Sequence, residues 1–427
     1  MAKLHFDIRD VFRSLRLGWS GKKMLVGFEG IALSYLGYLL CTYLAFWAGG
    51  KSPGWIWDNN QNLFPAVIGE YFAWYSWVIY LIGVVFAAVV LLLFGSMVCK
   101  IAYQQLKGDD FYSMGDAGGF LRKNWKAVAF SPFSLIGMLV FCAVSGLVIG
   151  LVGRIPFVGE WAFALTVVLT FFAALLTVYV ASVFLLSLLL GPSVVGSTRE
   201  DTMETVIQLF STAWSQPWRL AIYEGLLAIL VSVGTQVLAG FASAAFWLIS
   251  AICGLGMGDK LQQMAGVALH YMPAKCFSWP CFSLDWMQSV PWVSKFIPQI
   301  VDFASVQSGS ILWAGRLLAV MLIVVIGFVG SYSFATWSSG QTLIYIALRK
   351  KKDDENLLER KDEREEEEEE RQRQREREER EKKEQEKKEQ EKEKKDEGKE
   401  KGEEPQEEEK KDEEDAAGPS QEPKEEQ

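Results

Sequence analysis

The chain has 427 residues, half of them apolar, with 43 basic and 52 acidic side chains. The charges are segregated: from Asp353 onward 36 acidic and 20 basic residues give a net of −16, which leaves +7 on residues 1–352. This excludes a soluble globule of even composition. It describes a basic, apolar membrane body with an acidic mixed-charge tail, whose exposed body charge suits anionic lipid headgroups and not a nucleic-acid groove.

Residues 1–23 are polar and basic and carry no short apolar core followed by a small-residue cleavage site, so no signal peptide is expected. Ile8, Val11, Phe12, Leu15 and Trp19 recur at helical spacing between Asp7, Arg9, Asp10, Arg13 and Arg16. That pattern predicts an amphipathic helix suited to the membrane interface. Six apolar runs follow, near residues 24–48, 73–98, 128–153, 160–190, 219–253 and 311–337. Each is long enough to cross a hydrocarbon core about 30 Å thick. Lys and Arg gather before the first run, between the second and third (Lys100, Lys107, Arg122, Lys123 and Lys126), around the fifth and after the sixth. The positive-inside rule then puts both termini in the cytoplasm.

Tryptophans mark the run ends: Trp19, Trp125, Trp214 or Trp218, and Trp337 on one side, and Trp47, Trp74 or Trp77, Trp161, Trp247 and Trp313 on the other. This is the arrangement of two aromatic belts. Trp313 and Trp337 are separated by roughly 36 Å of helix at 1.5 Å per residue.

An internal repeat underlies the pattern. Trp19–Gly30, WSGKKMLVGFEG, aligns without a gap on Trp214–Gly225, WSQPWRLAIYEG. Upstream, Met203, Val206, Ile207, Phe210 and Trp214 reproduce the spacing of Ile8 to Trp19. A weaker middle copy runs through Phe111, Met114, Leu121 and Trp125–Lys126. The expected architecture is three units, each an interfacial elbow helix followed by a transmembrane hairpin. Gly191-Pro192 is expected to break the fourth run, because proline cannot continue a helix ladder.

The far-side loops differ in size. The segment 254–310 exceeds fifty residues and needs structure of its own; Leu261, Met264, Ala268 and Tyr271 are helically spaced within it. It is expected to form an amphipathic cap. Cys276 and Cys281 in CFSWPC either close a short disulfide loop in an oxidising compartment or remain free thiols. The tail, residues 353–427, is low-complexity Glu, Lys and Arg. It has no apolar residue between Leu358 and Ala416. It resembles a coiled coil in composition but lacks an a/d seam. A solvated single helix to about residue 395 and disorder beyond it are expected.

Few residues can carry chemistry. Glu29 and Glu224 occupy the same repeat position inside apolar spans, where a charge costs about 3 kcal/mol. They can bind a cation or share a proton, or simply reach back to Lys22, Lys23 and Arg219. Arg316, near the far end of the sixth span, is expected to snorkel outward. Ser331–Thr342 either softens the sixth helix or packs it against neighbours. His5 and His270 fall on opposite sides of the membrane and cannot form one site. There is no G-x-S-x-G, P-loop, G-x-G-x-x-G, H-E-x-x-H or Cys/His metal spacing, so no enzyme activity, cofactor or metal is expected.

The runs CKIAYQQLKGDDFYSMGDAGGFLRKNWK, GPSVVGSTREDTMETVIQLFSTAWSQPWR and GQTLIYIALRKKKDDENL resemble an uncharacterised, planctomycete-type family of bacterial polytopic membrane proteins. The elbow-plus-hairpin logic is similar to the membrane domain attached to some glycerophosphodiester phosphodiesterases. The resemblance covers most of residues 1–358 and implies no catalytic residues, and the long tail departs from it. The expectation is therefore an all-α bacterial inner-membrane protein of six spans, acting as a scaffold that offers its tail, 353–427, to a protein partner. The alternative is a small-solute or ion-coupled transporter using Glu29 and Glu224. Oligomeric state is left open.

Overall fold

The computed structural model describes residues 4–52, 54–56, 65–67, 73–271 and 309–360, with side chains at 270 and 271 outside that description. The described chain is helical and, among the described residues, contains no strand. Among the described residues the main helices are, in order, α1 Ile8–Val11, α2 Arg13–Gly18, α3 Gly21–Ala48, α4 Trp74–Lys107, α5 Met114–Gly153, α6 Val158–Thr198, α7 Thr202–Ser215, α8 Pro217–Met257, α9 Asp259–Tyr271 and α10 Gly309–Asp353. Six of these, α3, α4, α5, α6, α8 and α10, are long and apolar enough to cross a membrane. The protein is a multi-pass, all-α membrane protein.

The helices are longer than a bilayer needs. α10 has 45 residues and α5 has 40, which at 1.5 Å per residue is roughly 68 and 60 Å. The extra length is not wasted on solvent. At the end where α4, α6 and α10 finish and α8 begins, here the base, Val98–Gln104, Leu190–Thr198 and Ser338–Leu348 are buried against one another. These stretches are rich in small and hydroxylated residues, which let backbones approach. Gly196 shows the constraint: a Cβ there would sit 2.9 Å from Cys99 Cβ. The hydroxyls return their donors to their own helices, Ser193 to Leu190 O at 2.7 Å, Ser197 to Ser193 O at 2.6 Å and Thr198 to Val194 O at 2.8 Å. Such bonds satisfy polar groups locally, so the segment can be buried.

Pro192 lies inside α6, which continues to Thr198. The expected break at Gly191-Pro192 does not occur. In a packed helix of this kind, neighbouring hydroxyls and helices absorb the missing hydrogen bond. The middle elbow also differs from expectation. Ser113 caps α5 in a full capping box with Asp116, and the helix then runs unbroken through Trp125 to Gly153. The middle unit has elbow and span fused into one helix.

The first elbow, expected as one helix, is two short ones, α1 and α2, and the third is the single helix α7; both are separate from the spans that follow, and they match in burial. Asp10, Val11 and Ser14 are buried, as are Thr205, Val206 and Leu209 at the equivalent positions. Ile8, Phe12 and Trp19 are exposed, as are Met203, Ile207 and Trp214. Most of the apolar stripe read from the sequence therefore faces outward, and a face that mixes polar residues (Asp10, Ser14, Thr205) with Val11, Val206 and Leu209 is packed against the bundle. That orientation suits an amphipathic helix whose outer face meets lipid. Gly18 closes onto Thr336 of α10, with a Cβ there only 2.6 Å from the Thr336 Cα. Trp19 stacks edge-on against Tyr332, ring centroids 5.4 Å apart.

Away from the base the helices carry exposed apolar side chains, as in Phe141, Leu147, Trp161, Leu165 and Phe172 of the α5–α6 hairpin. At that far end α9 packs on α10, burying Val267, Ala268 and Ala319. The helical spacing read from Leu261 to Tyr271 corresponds to α9. The rest of the expected cap lies outside the described residues. The first compact unit runs through Glu359, and the second, Arg360–Gln427, lies outside them apart from Arg360.

Candidate functional site

Glu224 lies on α8, two turns in from its start at Pro217, the proline that opens the helix where its missing N–H costs nothing. It is half-buried between α8 and α10. Its Oε2 accepts from Gln341 Nε2 of α10 at 2.7 Å. Glu224 Oε1 and Gln341 Oε1 are both buried without a hydrogen-bond partner. Gln341 itself is 1% exposed. One turn away Leu227, fully buried, closes on Gly340, where a Cβ would collide with the leucine side chain.

Glu29 is placed differently. It is exposed on α3. The next residue, Gly30, packs against α4, where a Cβ would lie 2.6 Å from Phe94 Cβ; the equivalent Gly225 has nothing within 4 Å. The repeat therefore holds through the elbow and diverges at the Glu-Gly pair. The two glutamates do not share one environment, which removes the basis for reading them as an equivalent pair. Two of the cationic partners expected for them are engaged elsewhere: Lys22 donates to Asp110 O at 3.1 Å, and Lys23 donates to Leu17 O.

Arg316 is half-buried, with its guanidinium 5.0 Å from the centroid of Trp313, a cation–π contact at the far end of α10. His5 is exposed and the His270 side chain lies outside the described residues, as do Cys276 and Cys281. Among the described residues no group of three His, Cys, Asp or Glu side chains is placed to hold a metal ion.

Beyond the Glu224–Gln341 contact, toward the far end, α3, α4, α8 and α10 border an open cleft of about 450 Å³. Ile31, Val231, Val329, Phe334 and Trp337 wall it. Two hydroxyls in the wall, Thr235 and Ser333, bond to each other at 2.7 Å. The volume falls within the roughly 300–1,000 Å³ of ligand pockets. Trp337, expected at an aromatic belt, is a half-buried wall of this cleft.

Two further features escaped the sequence reading. Lys23 and Lys100 are 0% and 1% exposed at the base of the bundle. Lys100 faces the rings of Tyr103 and Phe120 at 5.1 and 5.4 Å. A lone lysine at the end of an apolar run was the available signal, but it reads equally as an interfacial charge.

The second feature is the seat of the chain beyond α10. Arg349 holds Asp353 at 3.0 Å and Glu355 at 3.1 Å and also donates to Gln208 of α7. Lys350 pairs with Asp354 at 2.8 Å, and Lys351 pairs with Asp7. Leu357 and Leu358, in a short 3₁₀ turn Leu357–Glu359, return into the core at 0% and 3% exposure. Tyr103 of α4 donates its hydroxyl to Leu357 O at 2.6 Å. These two leucines were read as the start of the tail; they pack as part of the body. No family model, curated protein or solved structure matches the chain.

Proposed function

We propose that this is a bacterial inner-membrane scaffold, with both termini cytoplasmic, that captures a protein partner through its charged tail and performs no reaction of its own. The carrying observation is the seat at the end of α10. Arg349, Tyr103 and the Leu357–Leu358 plug fasten the chain to the bundle immediately before the Glu/Lys/Arg segment begins. A segment needed only for solubility gains nothing from such fastening. A segment that bears a partner does, because load is passed to a packed core. The resemblance to the planctomycete-type family is part of the same proposal and supports a bacterial host.

The test is removal of residues 361–427, a cut that spares the plug. Capture from solubilised membranes should be lost, while insertion and the melting temperature of the body stay unchanged. An unaltered set of captured proteins would count against the scaffold.

A second reading, small-solute or ion-coupled carriage, draws on one observation: Glu224 keeps an unpartnered buried oxygen beside a cleft. Vesicles containing the protein should then show pH-dependent flux that Glu224→Gln removes and Glu29→Gln leaves in place. Absence of flux in the wild type would end that reading.

A further inference from the structure

The polar contact and the cleft lie on one seam. On α8, Glu224, Ala228, Val231 and Thr235 follow at the spacing of a single helix face. On α10, which runs the opposite way, Gln341, Trp337, Phe334 and Gly330 follow at the same intervals. Glu224 bonds Gln341 at the base end of this seam, and Thr235 bonds Ser333 further along it. Val231, Thr235, Gly330, Phe334 and Trp337 all line the cleft. Between the two, Ala228 is small and exposed. Leu227, the residue before Ala228, closes on Gly340 of α10 next to the Glu224–Gln341 contact.

The chemistry along the seam is ordered. At the base end stand two buried acceptors without a donor, the free oxygens of Glu224 and Gln341. They call for N–H groups, and the carboxylate favours a cation among the bearers of such groups. Further along, the wall is hydrocarbon, and its two hydroxyls satisfy each other. That stretch calls for an unbranched apolar chain. From Glu224 to Thr235 is roughly 16 Å of helix, the length over which a chain can lie. A polar head near the start of α8 with its chain running toward mid-membrane is also how a lipid of that leaflet lies.

We propose that this seam binds one membrane lipid with a primary-amine headgroup, its N–H groups on Glu224 and Gln341 and one acyl chain in the cleft. The second chain stays in the bilayer. The site goes beyond the scaffold reading and does not depend on the tail.

The experiment uses the full chain in vesicles of equal parts phosphatidylethanolamine, phosphatidylcholine and phosphatidylglycerol, followed by mild extraction and native mass spectrometry of retained lipid. Phosphatidylcholine keeps the positive charge but has no N–H donor. One phosphatidylethanolamine per chain should be retained, at about tenfold over phosphatidylcholine, the worth of one hydrogen bond to a charged group. Glu224→Gln should bring retention toward the phosphatidylcholine level, and Ala228→Phe should abolish it by filling the seam. Equal retention of the two lipids in the wild type, preference for phosphatidylglycerol, or retention unchanged in Glu224→Gln would overturn the proposal. The wild-type lipid comparison stands even where a variant fails to fold.

Discussion

Glu224 meets α10 through a single hydrogen bond from Gln341, so the two side chains depend on each other. Gln341→Leu leaves a carboxylate facing an apolar surface and should destabilise the fold by about 1–3 kcal/mol, the cost of an unsatisfied buried polar group. Replacing both residues by leucine should recover much of that loss, and a double-mutant cycle in denaturant measures the coupling. A different residue pair gives the N-terminal segment an acid response. The hydrogen bond from Lys351 holds the Asp7 carboxyl below its ordinary value of 3.8. A lowered carboxylate contributes stability at pH above its ordinary value and loses it as pH falls through the lowered one. The N-terminal segment should therefore stay docked at neutral pH and loosen below about pH 4. The anisotropy of a fluorophore at position 5 would report this, and Lys351→Met should remove the acid step.

Elements were legible to the extent that their signal is local. The six spans and the two outer elbows follow from apolar runs and from a motif repeated at a fixed offset; the spans and separate elbow helices form where that pattern points. The lengths of the helices were not legible. Ser338, Ser339, Gln341 and Thr342 are buried where α4 and α6 bring their own small residues to the same level; composition left softening and packing of this stretch both open, and the burial is that of packing. Pro192 misled for the same reason, since the hydroxyls and neighbours that tolerate it belong to the fold. At the site, Glu224 was visible as a charge in an apolar span. Its partner was not, because the seam appears only when α8 and α10 are set antiparallel. The capping box at the start of α5 gives a prediction of its own. Ser113→Ala should cost about 0.5–2 kcal/mol, and adding Asp116→Ala should cost little more, because the two side chains act as one cap. Helix content on thermal unfolding would show it.

Among the described residues, the body of the molecule is packed tightly at its base and presents apolar side chains to its surroundings elsewhere. The base joins Tyr103, Leu343, Leu348, Leu209, Leu357 and Leu358 in one core. The chain beyond α10 therefore leaves from the most buried part of the protein. Leu357→Ala should lower stability by about 2–5 kcal/mol, as for other fully buried leucines, although the residue lies past the last transmembrane helix. The most direct test of the scaffold account compares partner capture by the full chain and by a chain ending at Arg360, with the melting temperature of each body recorded alongside. The account predicts equal melting temperatures and capture by the full chain alone. Equal capture by both chains would contradict it.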